Sequence, residues 1–419
     1  MNHGDRQSDP ETRAGTSGRP EEDAGRHARR WASALAGAVV FAVITASFGL
    51  VVGLGRREAA PSRHPTAHVN AQPGQTASAT PTASPYPGKP IAPPYTPPPT
   101  AQVTSTVTAP APLIITSDPS QQMTLTSPVR FLARDYQGQL VGTITVDQAA
   151  EANGVLASPD GSKLLVGSRL VFDVYGHQLS DLYTAADASA LVQPIWADDS
   201  EHLCGITYDS DAEVATGALL EFSASGGYRT VADLGPLAGS ENGWLVLACS
   251  PSSDRAIVWQ SEGSETEYLV IRLSTGQVVA TYPGSTSDQG PGAASHDGSL
   301  LAIDGADGIS ILDTATGQDL ATVVRWGESE GYQLIGDALA FSWDGSRLLV
   351  QSDIAQGGPR WIVDWADGRD LVTTQTVMSL GDVIPLTSGA TIFIQETGSP
   401  YGAFFLANDG TLQTLPVAS

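Results

Sequence analysis

Residues 113–419 are predicted to be all-β, folded as a β-propeller of seven four-stranded blades, on three observations. A short turn motif recurs at intervals of about 38 to 54 residues, the spacing of propeller blades and not of short solenoid repeats. A Gly-containing hairpin follows each copy of the motif. No amphipathic run is long enough for a substantial helix, which sets aside an alternating helix–strand fold.

The turn motif has three strong copies: Ser158-Pro159-Asp160-Gly161-Ser162, Ser295-His296-Asp297-Gly298-Ser299 and Ser342-Trp343-Asp344-Gly345-Ser346. Weaker copies are Ala197-Asp198-Asp199-Ser200, Ser250-Pro251-Ser252-Ser253-Asp254 and Thr387-Ser388-Gly389-Ala390. The residue types fit a type I turn. Ser at the first corner accepts a local hydrogen bond, Pro at the second pre-sets φ, and Gly closes the fourth. Ser158, Pro159, Asp160, Gly161, Ser295, Asp297, Gly298, Ser342, Asp344 and Gly345 are therefore expected to be blade-turn residues. The apolar run after each turn, such as Leu164-Leu165-Val166, reads as a buried inner strand.

The hairpins have strand-like alternation on both sides of a turn. They are Phe131–Val146, Leu170–Tyr183, Leu219–Leu234, Tyr268–Tyr282, Ile309–Val324, Trp361–Thr374 and Ala403–Val417. Seven hairpins against six turn motifs leave the first hairpin without an upstream motif, so its inner strands are expected from Leu113–Thr126. Seven units in ~307 residues is about 44 residues each, the size of a four-stranded blade.

The Ser-Pro-Asp-Gly copies followed by Leu-Leu-Val resemble the WD-like repeats of TolB-type β-propellers over residues ~113–419. The resemblance implies the fold. It implies no particular function, because this architecture hosts enzymes, receptors and scaffolds alike.

The remainder of the chain divides by composition. Residues 1–30 are polar and nearly free of large apolar side chains, so nothing there offsets the entropy of ordering, and a disordered cytoplasmic tail is expected. Trp31–Gly55 is a run of 25 residues without a charge, long enough to cross a bilayer core of ~30 Å as a single helix. A cleaved secretory signal has a shorter apolar stretch, so an uncleaved signal anchor over 31–55 is the preferred reading. Arginines flank both ends of the run, and the large acidic C-terminal part settles the orientation: N-terminus cytoplasmic, C-terminal domain extracytoplasmic. Residues 59–112 hold 14 of the 28 prolines and nine threonines. The span 56–112 reads as a polyproline-rich, disordered stalk between membrane and propeller. Two lysines against 19 arginines, with abundant Ala and Gly, suggest a high-GC bacterium.

Charge narrows the partners. The chain carries a formal net charge of −24, and residues 113–419 contain 11 Lys and Arg against 38 Asp and Glu. Such a domain has no cationic excess with which to displace counterions, so nucleic acid is not an expected partner. The two cysteines, Cys204 and Cys249, lie 45 residues apart, about one blade. A disulfide joining neighbouring blades is favoured for an exported domain, with two separate buried thiols as the alternative.

No catalytic set is coherent. Gly327-Glu328-Ser329-Glu330-Gly331 matches the Gly-x-Ser-x-Gly pattern, yet no histidine follows position 296 and no hydrolase domain surrounds it. His177, His202 and His296 are scattered over different repeats, without the paired spacing of a zinc site. Asp209-Ser210-Asp211-Ala212-Glu213 and Asp304-Gly305-Ala306-Asp307-Gly308 offer oxygen ligands, but neither is a complete calcium loop, and both read as acidic rim turns. No cofactor and no metal is therefore assigned. The expected function is a membrane-tethered extracytoplasmic module that binds or scaffolds a protein, peptide or envelope component such as a glycan. The alternative is a lactonase-like, metal-dependent propeller hydrolase, which requires Asp198, Asp199, Asp304 or Asp307 to converge on the central channel.

Overall fold

The structure, a computed structural model, describes residues 101–121, 128–147, 154–182, 191–209, 216–236, 244–262, 265–284, 291–305, 308–323, 336–352, 360–374, 376–397 and 401–415. The tail, the 31–55 segment and most of the stalk lie outside these residues. The described residues form seven separate four-stranded antiparallel sheets, the blades of one ring. Blades one to seven span residues 103–146, 155–181, 191–236, 244–283, 293–323, 336–373 and 380–415. The seven-bladed propeller is thus the fold. In blades two to seven the strands follow one another across the sheet in chain order. The first strands pack against each other around the axis, as Trp244–Ser250 does against Leu191–Trp196 and Ala293–Ala294.

Blade one departs from that order. Its strands are β1 (Val103–Ser105), β2 (Ile114–Ser117), β3 (Val129–Arg134) and β4 (Leu140–Val146), arranged β1-β4-β3-β2. The expected hairpin is present as β3–β4, and Leu113–Thr126 supplies the inner strand β2. It supplies only that one, because the fourth strand is β1, which pairs with the outer edge of β4 (Val103 opposite Val146). The blade therefore recruits residues from before position 113.

Burial explains the ring. The second strand of each blade is apolar on both sides, so alternate residues enter different seams. Leu164 and Val166 pack towards blade one while Leu165 packs towards blade three. Leu348 and Val350 face blade five, and Leu349 faces blade seven. Among the described residues, each of the seven seams holds its own apolar cluster.

The recurring motif forms the turn between first and second strands. In all three strong copies the fourth residue's N–H donates to the first residue's carbonyl, at 2.8 Å for Gly161 and 2.9 Å for Gly298 and Gly345. The first serine's hydroxyl donates to the aspartate two residues on, at 2.8, 2.7 and 2.9 Å for Ser158, Ser295 and Ser342. The same hydroxyl accepts the N–H of the sixth residue, at 3.0, 2.9 and 3.0 Å. Glycine closes the turn because the backbone there is left-handed, with φ of 66°, 66° and 76°.

These turns also join blades. Leu113 N–H donates to Asp160 O at 2.8 Å, and Asp198 N–H to Cys249 O at 3.1 Å. Asp160 N–H donates to Ser200 Oγ at 3.1 Å, and Ser253 Oγ to Asp297 O at 2.5 Å. Arg347 extends from blade six to the carbonyls of Ala390 (2.8 Å) and Ala407 (2.6 Å) in blade seven.

Gly161 and Gly368 separate conformational strain from crowding. Both have φ near 70° (66° and 71°), but a Cβ on Gly161 would lie 2.1 Å from Leu113 O, whereas Gly368 has nothing within 4 Å. Chemical denaturation should show Gly368→Ala losing about 1 kcal/mol and Gly161→Ala losing roughly 3 kcal/mol or more. Equal losses would mean that the turn does not press on blade one.

Candidate functional site

The turns gather side chains at one mouth of the ring. Numbered from its first corner, each turn has a second residue at the end of the innermost strand: Pro159, Asp198, Pro251, His296, Trp343 and Thr387 in blades two to seven. Every one of them is half-buried. For blade seven the hydrogen bonds Leu386 N–H to Thr391 O (3.0 Å) and Gly389 N–H to Leu386 O (3.0 Å) make Leu386 the first corner, one residue before the motif's expected start at Thr387.

The third residues, by contrast, are committed to the fold. Asp160 Oδ1 accepts from Ser158 Oγ and from Ser162 N–H at 2.9 Å. Asp297 and Asp344 accept the equivalent N–H groups of Ser299 and Ser346, each at 3.0 Å. Burial alone would raise these carboxyls, but the serine hydrogen bonds outweigh it and hold all three below the ordinary carboxylate range. The blade-turn residues found in the sequence are therefore structural supports, and they position the second residue of each turn.

At the mouth, His296 and Trp343 come together from adjacent blades with ring centroids 4.3 Å apart and planes inclined by 30°. Asp198 stands beyond Ser250 and Ser252, whose hydroxyls both donate to its Oδ2, Ser250 at 2.7 Å. Its Oδ1 is buried without a hydrogen bond. Burial pushes the His296 imidazole down to about 4, against the opposing pull of Asp198 and Asp297. At neutral pH the stack is thus an uncharged plate beside one carboxylate.

Cys204 and Cys249 form a disulfide with a Cα–Cα distance of 5.9 Å. It links the second strand of blade three (His202–Asp209) to the first strand of blade four (Trp244–Ser250). Because Cys249 O also accepts Asp198 N–H, the bridge fixes the carboxylate side of the mouth.

The other candidates do not assemble. His177 pairs with Asp173 at 2.8 Å and His202 with Asp199 at 2.6 Å, each within its own turn region. Asp304 ends the second strand of blade five, Leu300–Gly305, at the opposite end of the ring from Asp198, and its Oδ1 accepts Ala338 N–H at 3.0 Å. Asp307, residues 210–213 and the Gly327–Gly331 motif lie outside the described residues. Among the described residues no three His, Cys, Asp or Glu side chains are placed to hold a metal ion. The sequence pattern drew notice to His296 only as one of three scattered histidines and not to Trp343, although both fill the turn position that Pro159 holds in blade two. The signal was available, since successive copies with planar side chains at position two predict a stack between neighbouring blades.

No known family profile matches the chain, and no curated protein matches it. Among solved structures it is similar to TolB from Acinetobacter baumannii, at 15% identity over 74% of this chain and 80% of that one, with a TM-score of 0.36. It is also similar to the β-propeller domain of the Trilobed protease from Pyrococcus furiosus (8% identity, 74% and 83% covered, TM-score 0.36). A third similar structure is the propeller domain of Cps50 (Swd1) from Myceliophteria thermophila (12% identity, 54% and 70% covered, TM-score 0.38).

The His296 environment gives stability a pH dependence with a definite sign. The imidazole titrates near 6.5 when unfolded and near 4 when folded, so between those values the unfolded chain binds a proton that the folded chain refuses. Stability therefore falls as pH drops from 6.5 towards 4. His296→Gln should show a smaller fall in melting temperature than the unaltered protein between about pH 7 and about pH 4.5. An identical fall in both would remove His296 as the cause.

Proposed function

We propose that this chain is a membrane-tethered, extracytoplasmic binding module, and that it takes a protein, peptide or envelope component at the mouth formed by the turns between first and second strands. One observation supports this reading above others. In blades two, five and six the turn carboxylates and hydroxyls are alike and committed to internal hydrogen bonds, whereas the second turn residues differ from blade to blade, and Trp343 stacks on His296, which Asp198 reaches electrostatically. A uniform scaffold that presents a non-uniform set of groups is the arrangement of a recognition surface. A partly exposed aromatic plate next to a desolvated carboxylate has the character of an interface anchor.

The tether belongs to the same proposal. The uncharged run 31–55 and the proline-rich stalk would hold the ring away from the lipid. The acidity of residues 113–419 suits an aqueous, extracytoplasmic setting and disfavours anionic lipid or nucleic acid as the direct ligand.

A photo-reactive amino acid placed at Trp343 in the full-length protein, in its own membrane, should cross-link one defined partner. The same residue at Met378, which is 71% exposed and precedes the start of the first strand of blade seven (Leu380–Pro385), whose far end carries the turn, should not. Trp343→Ala should reduce recovery of that partner about tenfold or more, the effect of removing an aromatic anchor. Cross-linking at position 378 alone would place recognition on the other face and reject the mouth.

A further inference from the structure

Blade four breaks the repeat at one register position. The sixth turn residue opens the second strand, and its side chain lies directly across from the end of the third strand. There Lys163 faces Asp173 in blade two, Leu300 faces Asp313 in blade five, and Arg347 faces Asp364 in blade six. In blade four Arg255 faces Arg272. Like charges in directly opposed positions repel, so a pair of arginines there costs the sheet stability that the other blades keep.

The blade has rearranged to accommodate them. In blade five Asp313 accepts the hairpin-turn N–H groups of Ala315 (2.9 Å) and Thr316 (2.8 Å). In blade four that duty passes to Asp254, in a left-handed conformation with φ of 58°, which accepts Ser274 N–H at 2.6 Å and Ser274 Oγ at 2.7 Å. Moving the carboxylate out of the strand frees position 272 for a guanidinium. Asp254 remains 3.8 Å from Arg272 Nε, an ion-pair distance and not a hydrogen bond.

The two arginines are also under-used. Other cations at the seams are occupied: Lys163 holds Glu201 at 2.6 Å, Arg229 pairs with Glu221, and Arg347 binds carbonyls of blade seven. Among the described residues the Arg255 guanidinium makes one hydrogen bond, to Thr314 Oγ1 at 3.4 Å, and interacts electrostatically with Asp313. The guanidinium of Arg272 makes no hydrogen bond among the described residues. Each carries a planar fork of N–H donors suited to bidentate recognition of oxyanions. Both line an open groove of about 580 Å³ between blades four and five, together with Ser274, Thr275 and Thr314.

We propose that Arg255 and Arg272 form a binding site for a phosphate-class dianion at this seam. The anion would sit between the guanidinium forks, relieve their mutual repulsion, and accept a hydrogen bond from the Thr275 hydroxyl, since the Ser274 and Thr314 hydroxyls already donate to Asp254 and to Gly298 O. Asp254 lines the same groove, with both carboxylate oxygens accepting from Ser274 and an ion pair to Arg272, and Asp313, whose Oδ1 accepts from Ala315 and Thr316, interacts electrostatically with Arg255, so the anion competes with one carboxylate at each arginine. The net charge of −27 over residues 113–419 makes the site selective by local geometry, because the surrounding field repels anions that the paired arginines do not hold. The seam is separate from the axial mouth, so its failure leaves the mouth reading untouched.

The test is calorimetric titration of the full-length protein with inorganic phosphate and, separately, glycerol 1-phosphate, at fixed ionic strength. Arg272→Gln removes one guanidinium without placing a second carboxylate beside Asp254, so this variant should stay folded with a nearly unchanged melting temperature without phosphate yet bind phosphate about tenfold more weakly or worse. Arg255→Gln serves as a second variant with the same expected loss. Binding of both ligands marks a phosphoester site, and binding of inorganic phosphate alone marks a free-ion site. Either result supports the proposal if the variants lose it. No binding to the unaltered protein at about 10 mM, or equal binding by both variants, overturns it.

Discussion

Each blade is apolar on both of its faces, and this constraint governs everything else in the ring. A sheet such as that of blade six, with Leu348 and Val350 on one side and Leu349 on the other, has no stable existence facing water. Burial can be completed only by a neighbour on each side, and therefore only by closure. Every sheet here is built from consecutive chain, so blades one and seven share no strand. The last seam is closed by side chains: Ile114 packs with Leu386, Phe393 and Phe405, Tyr136 and Thr387 share a 2.8 Å hydroxyl contact, and Asp382 receives Ser117 N–H and Oγ at 3.1 and 2.7 Å. Burial raises the Asp382 carboxyl despite those two donors, which marks how far this closure point is withdrawn from water.

Much of this was legible in the amino-acid order because its signals are local. Ser-x-Asp-Gly specifies a turn through hydrogen bonds that span five residues, and a Gly-centred hairpin pairs strands that adjoin in sequence. Blade one was less legible for the opposite reason. Its edge strand has three residues, lies among prolines and threonines, and pairs with a strand some forty residues later, so neither periodicity nor a turn announces it. The chemistry of the mouth was legible only in part. Asp160, Asp297 and Asp344 are conspicuous in sequence and prove to be supports. Asp198 was visible only as one of several acidic turn residues and Trp343 not at all, and both gain meaning from the neighbours that closure gives them.

The scarce cations follow a related logic. In so acidic a domain a lysine or arginine is most useful where it ties one blade to the next, as Lys163, Arg229 and Arg347 do by reaching a carboxylate or carbonyl across a seam. A half-buried guanidinium that contacts backbone carbonyls replaces water at a place where the turns leave acceptors unpaired. These cations each meet an acceptor in the next blade, against which the opposed arginines of blade four stand out.

The position of β1 has a mechanical meaning. A pull arriving along the polypeptide from its N-terminal side reaches β1 first, and β1 is held at the rim of blade one by its register with β4, by the flanking bonds of Gln102, Thr106 and Thr108, and by Ala101 and Val107 buried in the cluster shared with blade two. Load applied there peels an edge that is also buried against blade two, so the rim of blade one and that seam give way together.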